Sequence, residues 1–224
     1  MSHQDNLTRG TLRTPRAAAV AGIIFSIMLF LAFWLLRVAI PNGPSGSNAW
    51  LVDNGKSIAV ALSLIPFSGI AFLWLIGVLR DRLGQREDRL LATVFLGSGL
   101  LFLAMLFSAA AVASAAVTVY SSQLNQEIDI RVFAFARTLV SDLMNIYAVK
   151  MAGVFMISLS TVALYTGFAP RYIGFLGYGL ALFLLFGNPY LEWSFLVFPA
   201  WVFLLSAHVL AGDLRRRPPV RDLT

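Results

Sequence analysis

The sequence predicts an all-α polytopic membrane protein, a helical bundle with six transmembrane helices and both termini in the cytoplasm. Three observations indicate this fold: six long uncharged stretches, a composition poor in charge, and an uneven distribution of basic residues. The chain has 224 residues, of which 58% are hydrophobic and 12% are charged, and its mean hydropathy is +0.78. Because soluble domains carry about 25% charged residues, the surplus apolar surface of this chain requires lipid as its solvent.

Six stretches lack Asp, Glu, Lys and Arg over roughly the thickness of a bilayer. A hydrocarbon core of about 30 Å needs about 20 apolar residues of helix. The predicted spans cover residues 17–36, 57–79, 90–120, 151–169, 172–191 and 193–212. They form one membrane domain over residues 17–212. A polar N-terminal tail, residues 1–16, is predicted to be disordered, and a basic tail covers residues 213–224.

The basic residues predict the orientation in the membrane. With alternating spans and a cytoplasmic N-terminus, 12 of the 17 Lys and Arg and six of the 11 Asp and Glu fall on the cytoplasmic face. That face carries the whole net charge of +6, and the opposite face sums to zero. This is the positive-inside bias, and it predicts a location in the cytoplasmic membrane. We expect anionic lipid at Arg215, Arg216 and Arg217, and no nucleic-acid partner.

Two prolines interrupt the predicted spans. Pro66 lies inside the second span, and Pro199 lies about two turns into the sixth. Proline in a helix interior removes a backbone hydrogen bond and kinks the helix. Both positions are therefore candidate hinges.

Residues 121–145 form the longest segment outside the spans. Ile128, Val132, Phe135 and Leu139 recur at helical spacing, which predicts an amphipathic helix on or above the outer leaflet. A short strand-like alternation over residues 127–132 is the competing local interpretation. The segment is the candidate contact element of the protein.

Three ionisable side chains lie near span ends. Lys150 is 18 residues from Phe168, about 27 Å along a helix, which places it near the outer interface where it can snorkel. Asp142 lies two turns earlier and is a candidate ion-pair partner for Lys150. His208, the one histidine beyond the N-terminal tail, is expected near the cytoplasmic interface.

The predicted spans also contain few of the side chains that most often form catalytic and metal sites. The chain has no cysteine, which excludes disulfides and thiolate sites, and all 11 acidic residues fall outside the spans. We therefore expect no cofactor, no metal site and no enzymatic activity. Neutral polar residues remain within the spans, and we expect them to bond the preceding helical turn or a neighbouring helix. They are Ser63, Ser68, Ser158, Ser160 and Thr161.

Two stretches resemble uncharacterised bacterial multi-pass membrane families of unknown function. They are Phe72-Leu-Trp-Leu-Ile-Gly-Val-Leu-Arg-Asp-Arg-Leu-Gly84 and Pro170-Arg-Tyr-Ile-Gly-Phe-Leu-Gly177. The resemblance implies a bundle of five to seven membrane helices over residues 17–212. It implies no functional residues, since these families have no assigned activity.

Two hypotheses of function follow. The first is a non-enzymatic structural or accessory membrane component, which contacts a membrane-protein partner, a second copy or lipid through residues 121–145. The alternative is a small permease for a neutral or lipophilic solute, with Pro66 and Pro199 as hinges.

Overall fold

The computed structural model describes residues 4–39, 49–83, 89–122, 130–167, 169–187 and 194–215. Over these residues the chain forms seven α-helices and one π-helical turn. In chain order they are α1 (Gln4–Ala39), α2 (Ala49–Leu83), α3 (Arg89–Ser122), α4 (Ile130–Asp142), the π turn (Leu143–Ala148), α5 (Val149–Thr166), α6 (Arg171–Phe186) and α7 (Ser194–Arg215). The prediction of an all-helical protein is confirmed for the described residues.

Five helical segments are long and apolar enough to cross a membrane: α1, α2, α3, the continuous α4–α5 rod and α7. The fifth predicted span, residues 172–191, corresponds to the shorter apolar helix α6. Helix α6 ends at Phe186 because Gly187 adopts an extended conformation, with ψ of 161°. Its 16 residues are about 24 Å long, less than a typical hydrocarbon core.

The first helix is longer than predicted. Helix α1 begins at Gln4, so the backbone of residues 4–16 is helical where the polar composition predicts a disordered tail. Continuing an existing helix costs far less than nucleating one, and the apolar span provides the nucleus. Residues 1–3 of that tail lie outside the described residues, as do Arg216 and Arg217 of the basic tail, while Arg215 is the last residue of α7.

The described part of the predicted amphipathic segment is the first part of a long rod that continues into α5. Helix α4 runs through the π turn into α5, and the backbone N–H of Val149 reaches the carbonyls of both Met144 and Ile146. The rod ends at Gly167, whose left-handed φ of 66° suits glycine, and whose N–H caps the carbonyl of Ala163 at 3.0 Å. Residues 123–129, which include Ile128, lie outside the described residues.

The described residues of the predicted apolar stripe lie mostly on the exposed side of α4. Val132 and Phe135 are 60% and 69% exposed, and only Leu139 of the described stripe is half-buried. Phe133, Ala136 and Val140 are half-buried instead, on the side that packs against α3. Both faces of α4 carry apolar side chains, so spacing alone did not distinguish the packed face from the exposed one.

The helices pack as a closed ring with α6 on its outside. Helix α1 packs between α2 and α7, α3 packs between α2 and α5, and α7 also touches α5, which closes the ring. Helix α6 packs mainly on α5 and touches α7. Contacts between α5 and α6 pair Leu164 with Gly174 and Gly153 with Ala181, so α6 returns the chain antiparallel to α5.

Glycines allow the closest helix approaches. A Cβ at Gly177 of α6 would collide with Ser160 of α5 and would lie 2.7 Å from the indole of Trp201 in α7. The indole Nε1–H of Trp201 donates to the carbonyl of Ile173 in α6 at 3.4 Å. Three helices therefore meet at one residue that has no side chain, as is typical of helix packing in membranes.

We predict that Gly177→Ala destabilises the bundle and that Gly179→Ala does not. The added methyl of Gly177→Ala overpacks the contact and should cost about 1–3 kcal/mol of unfolding free energy. Gly179, two residues along the same helix, has nothing within 4 Å of its Cβ position, which makes it the matched control. Thermal unfolding of the two variants in mild detergent measures the difference, and equal midpoints would contradict the packing described.

Candidate functional site

The centre of the helix ring is filled with phenylalanine rings. Six of them, which we call the phenylalanine cluster, are each at most 4% exposed. The cluster consists of Phe25 of α1, Phe72 of α2, Phe95 and Phe102 of α3, Phe155 of α5 and Phe198 of α7. Every helix of the ring contributes, so the ring encloses a packed aromatic core.

Rings in the phenylalanine cluster meet in tilted, edge-to-face and stacked pairs. Centroids of Phe25 and Phe72 are 4.6 Å apart, those of Phe72 and Phe155 are 5.1 Å apart, and those of Phe102 and Phe198 are 4.8 Å apart. Offset and edge-on pairs at these separations are the favoured aromatic geometries. Over the described helices, the middle of the ring is therefore a packed apolar core.

Most of the neutral polar side chains bond as expected. Ser158 donates to the carbonyl of Val154 at 3.1 Å, and Ser63, which is exposed, donates to that of Val60 at 2.8 Å. Ser68 of α2 instead donates across to the carbonyl of Phe25 in α1, at 3.2 Å.

Thr161 makes two of these bonds, donating to the carbonyl of Ile157 at 2.8 Å and pairing with the hydroxyl of Tyr178 in α6 at 2.7 Å. The hydroxyl of Ser160 is the exception, being fully buried without a hydrogen-bond partner among the described residues. It lies against Gly177 of α6.

The ionisable residues singled out by the sequence do not form a cluster. Asp142 and Lys150 lie on the continuous α4–α5 rod and are both exposed. Within the described part of the chain no ion pair joins them, because eight residues separate them by about 12 Å along the rod. His208 of α7 is half-buried, and its ring meets that of Tyr172 edge-on at 6.3 Å.

The two prolines have different surroundings. Pro66 is exposed, and α2 continues through it as one helix. Pro199 is buried in α7 and lines a groove between α1 and α7 with a volume of about 530 Å³. We call this the α1–α7 groove. Its lining residues are Ser26, Ile27, Phe30, Leu31, Trp34, Pro199, Ala200 and Phe203.

Metal-ligating side chains are not grouped in the described part of the chain. There, no three residues of the types His, Cys, Asp and Glu come close enough to hold an ion. The features that combine several helices are instead apolar: the phenylalanine cluster inside the ring and the α1–α7 groove on its surface.

The chain was compared with family models, curated proteins and solved structures. No family model, no curated protein and no solved structure matches it. The resemblance to bacterial multi-pass families therefore stays a prediction, and any function must follow from the geometry of this chain.

Hydropathy did not identify the phenylalanine cluster. The chain contains 18 phenylalanines, and Phe67 and Phe175, which are exposed, lie in spans just as apolar as those of the buried six. In a membrane protein the lipid-facing and inward-facing sides are both apolar, so residue type does not separate them. Gly174 and Gly177 instead mark the close approach of α6 to its neighbours, because a Cβ at either position would collide with a neighbouring helix.

Proposed function

We propose that the chain is a non-enzymatic structural or accessory protein of the cytoplasmic membrane. In this proposal it crosses the bilayer six times and keeps both termini in the cytoplasm. The observation that carries the proposal is the phenylalanine cluster, because a closed aromatic centre leaves the outer surface of the bundle as the place where the protein acts.

The outer surface of the described helices supports membrane insertion. Large apolar side chains face outward on several helices, among them Trp74, Phe175 and Phe186, which are 67%, 64% and 84% exposed. Soluble monomers rarely expose contiguous apolar surface of this extent. Lipid solvates such side chains without cost, whereas water does not.

The spacing of charges along two helices supports the same placement. Arg16 and Arg37 lie 21 positions apart in α1, and Lys56 and Arg80 lie 24 positions apart in α2. These separations correspond to about 32 and 36 Å, close to the hydrocarbon thickness of about 30 Å. In the proposed orientation Arg16 and Arg80 lie on the cytoplasmic side.

Helix α6 supplies the remaining crossing, which is the fifth in chain order. Its antiparallel packing on α5 returns the chain towards the outer side, from which α7 descends antiparallel to α1, with Gly22 against Ser206 and Phe33 against Phe195. A helix about 24 Å long spans when the bilayer thins locally, at a modest cost per ångström of mismatch.

Helix α4 is the proposed contact element. From Lys150, near the outer interface, the rod continues 15 residues to Phe135, about 22 Å beyond the lipid. Val132 and Phe135 are exposed there on one side of α4, where water rather than lipid would surround them. A membrane-protein partner that covers this side would remove both apolar side chains from water.

Single-cysteine labelling tests the placement in the membrane. The chain has no native cysteine, so each introduced thiol is the sole target of a membrane-impermeant maleimide. We expect Lys56→Cys and Lys150→Cys to react in intact cells, and Arg80→Cys and Arg171→Cys to react only after permeabilisation. The reverse pattern would overturn the orientation, and release of the protein by alkaline carbonate would overturn insertion itself.

Co-purification tests the contact element. We expect the wild-type protein, extracted in mild detergent, to retain a stoichiometric protein partner, and the double variant Val132→Ser/Phe135→Ser to lose it. Phe135→Leu is the matched control, since it keeps an apolar side chain at the contact and should keep the partner. Mass spectrometry identifies the partner, and a clean wild-type preparation would contradict the proposal.

A small permease for a neutral or lipophilic solute is the second candidate. One observation favours it: Pro199, a predicted hinge, lies buried along the α1–α7 groove. A proline in a helix interior leaves the carbonyl four residues earlier without its helical donor, which eases bending at that point.

Proline substitutions separate the two candidates. A permease hinged at Pro199 should lose solute flux in proteoliposomes on Pro199→Ala while the unfolding midpoint falls little or rises. Pro66→Ala, at the exposed proline, is the comparison. An accessory protein should retain its partner in both variants. Proteoliposomes that contain either variant should then show no protein-dependent solute flux.

A further inference from the structure

The α1–α7 groove has large side chains at its edges and small ones along its floor. Phe30, Trp34 and Phe203 are exposed and form the edges, whereas Ser26 and Pro199 are buried beneath them. Its volume of about 530 Å³ lies within the range of roughly 300–1,000 Å³ typical of small-molecule pockets. The groove is therefore large enough for a flexible apolar chain.

The chemistry of the groove excludes a polar ligand. Apart from the indole N–H of Trp34, the hydroxyl of Ser26 is the one strong hydrogen-bonding group among the side chains that line the groove. This hydroxyl already donates to the carbonyl of Gly22 at 2.8 Å. A polar solute would lose its hydration without gaining a matching donor, whereas methylene groups would gain contacts on both walls.

A cation follows the groove on the same helix face. Ile27, Phe30 and Trp34 line the groove at helical spacing, and Arg37 is exposed one turn beyond Trp34. Tryptophan with a basic residue just beyond it is the usual arrangement at a membrane interface. An acyl chain lying in the groove thus places its phosphate at the level of Arg37, where charge complementarity favours an anionic headgroup.

We infer that the α1–α7 groove is a binding site for one acyl chain of an anionic phospholipid, whose phosphate lies against Arg37. The inference rests on the membrane insertion proposed above and goes beyond the accessory role. The bound lipid fills the space between α1 and α7 that their side chains leave open.

Native mass spectrometry of the purified full-length protein tests this inference. The delipidated protein is mixed with equal concentrations of phosphatidylglycerol and phosphatidylcholine, and the fraction carrying each lipid is measured. We expect one phosphatidylglycerol per chain. Ala200→Phe, which fills the groove from its exposed edge, should weaken retention about tenfold or more, because each displaced methylene loses its burial.

Two further variants make the test specific. Arg37→Gln should reduce the preference for phosphatidylglycerol over phosphatidylcholine about fivefold, which is the contribution expected of one basic residue near the membrane surface to the binding of an anionic lipid. Ile27→Trp fills the groove from the opposite wall. It therefore tests the same site independently if Ala200→Phe folds poorly, and the reverse also holds.

Ala111→Phe is the matched control for the filling variants. Ala111 is exposed on α3, a helix that contributes no residue to the groove, so this variant should retain lipid as the wild type does. Equal retention by Ala200→Phe, Ile27→Trp and Ala111→Phe would overturn the site. Equal binding of the two lipids by the wild type would overturn the headgroup contact. Failure of membrane insertion would appear separately, in the alkaline extraction.

Discussion

Close fit between helices is the constraint on which the rest of this structure depends. In lipid, apolar surface gains nothing by moving from the bilayer to a helix interface, so helices associate through dense packing and interhelical hydrogen bonds. The bundle uses both. Aromatic rings fill the centre where five helices converge, and Gly22, Gly174 and Gly177 let neighbouring helices approach where a Cβ would collide. Interhelical bonds from Ser68 and Trp201 join these contacts.

The same constraint determines where the protein can act. A core closed by Phe72, whose ring lies within 5.7 Å of those of Phe25, Phe102, Phe155 and Phe198, does not open without separating several helices at once. Interiors packed in this way switch between discrete arrangements rather than deform gradually. Surface features are free of that cost. Two of them on the described helices lie apart: the exposed side of α4, which we propose lies beyond the lipid, and the α1–α7 groove, which we propose lies within it.

Much of the fold could be predicted from charge and length, because those properties report directly on the bilayer. The third span, residues 90–120, differs from α3 by only one residue at its start and two at its end. Two features could not be predicted in this way. Helix α6 is short because Gly187 leaves helical geometry. In α4, Phe133 is half-buried and Phe135 is exposed, because α3 packs against one side of that helix. Likewise, no pattern distinguishes buried Phe72 from exposed Phe67, since lipid and protein accept the same side chain.

The α1–α7 groove follows from a difference in side-chain size that hydropathy does not register. Ser26 and Pro199 occupy the floor, where their small volumes leave space, while Phe30, Trp34 and Phe203 stand at the edges. Elsewhere along the α1–α7 contact the fit is tight, with Phe33 against Phe195 and Gly22 against Ser206. An unfilled gap between two tight contacts would forfeit dispersion energy on both walls. A bilayer supplies acyl chains at high local concentration, so a lipid completes the packing that the side chains leave open.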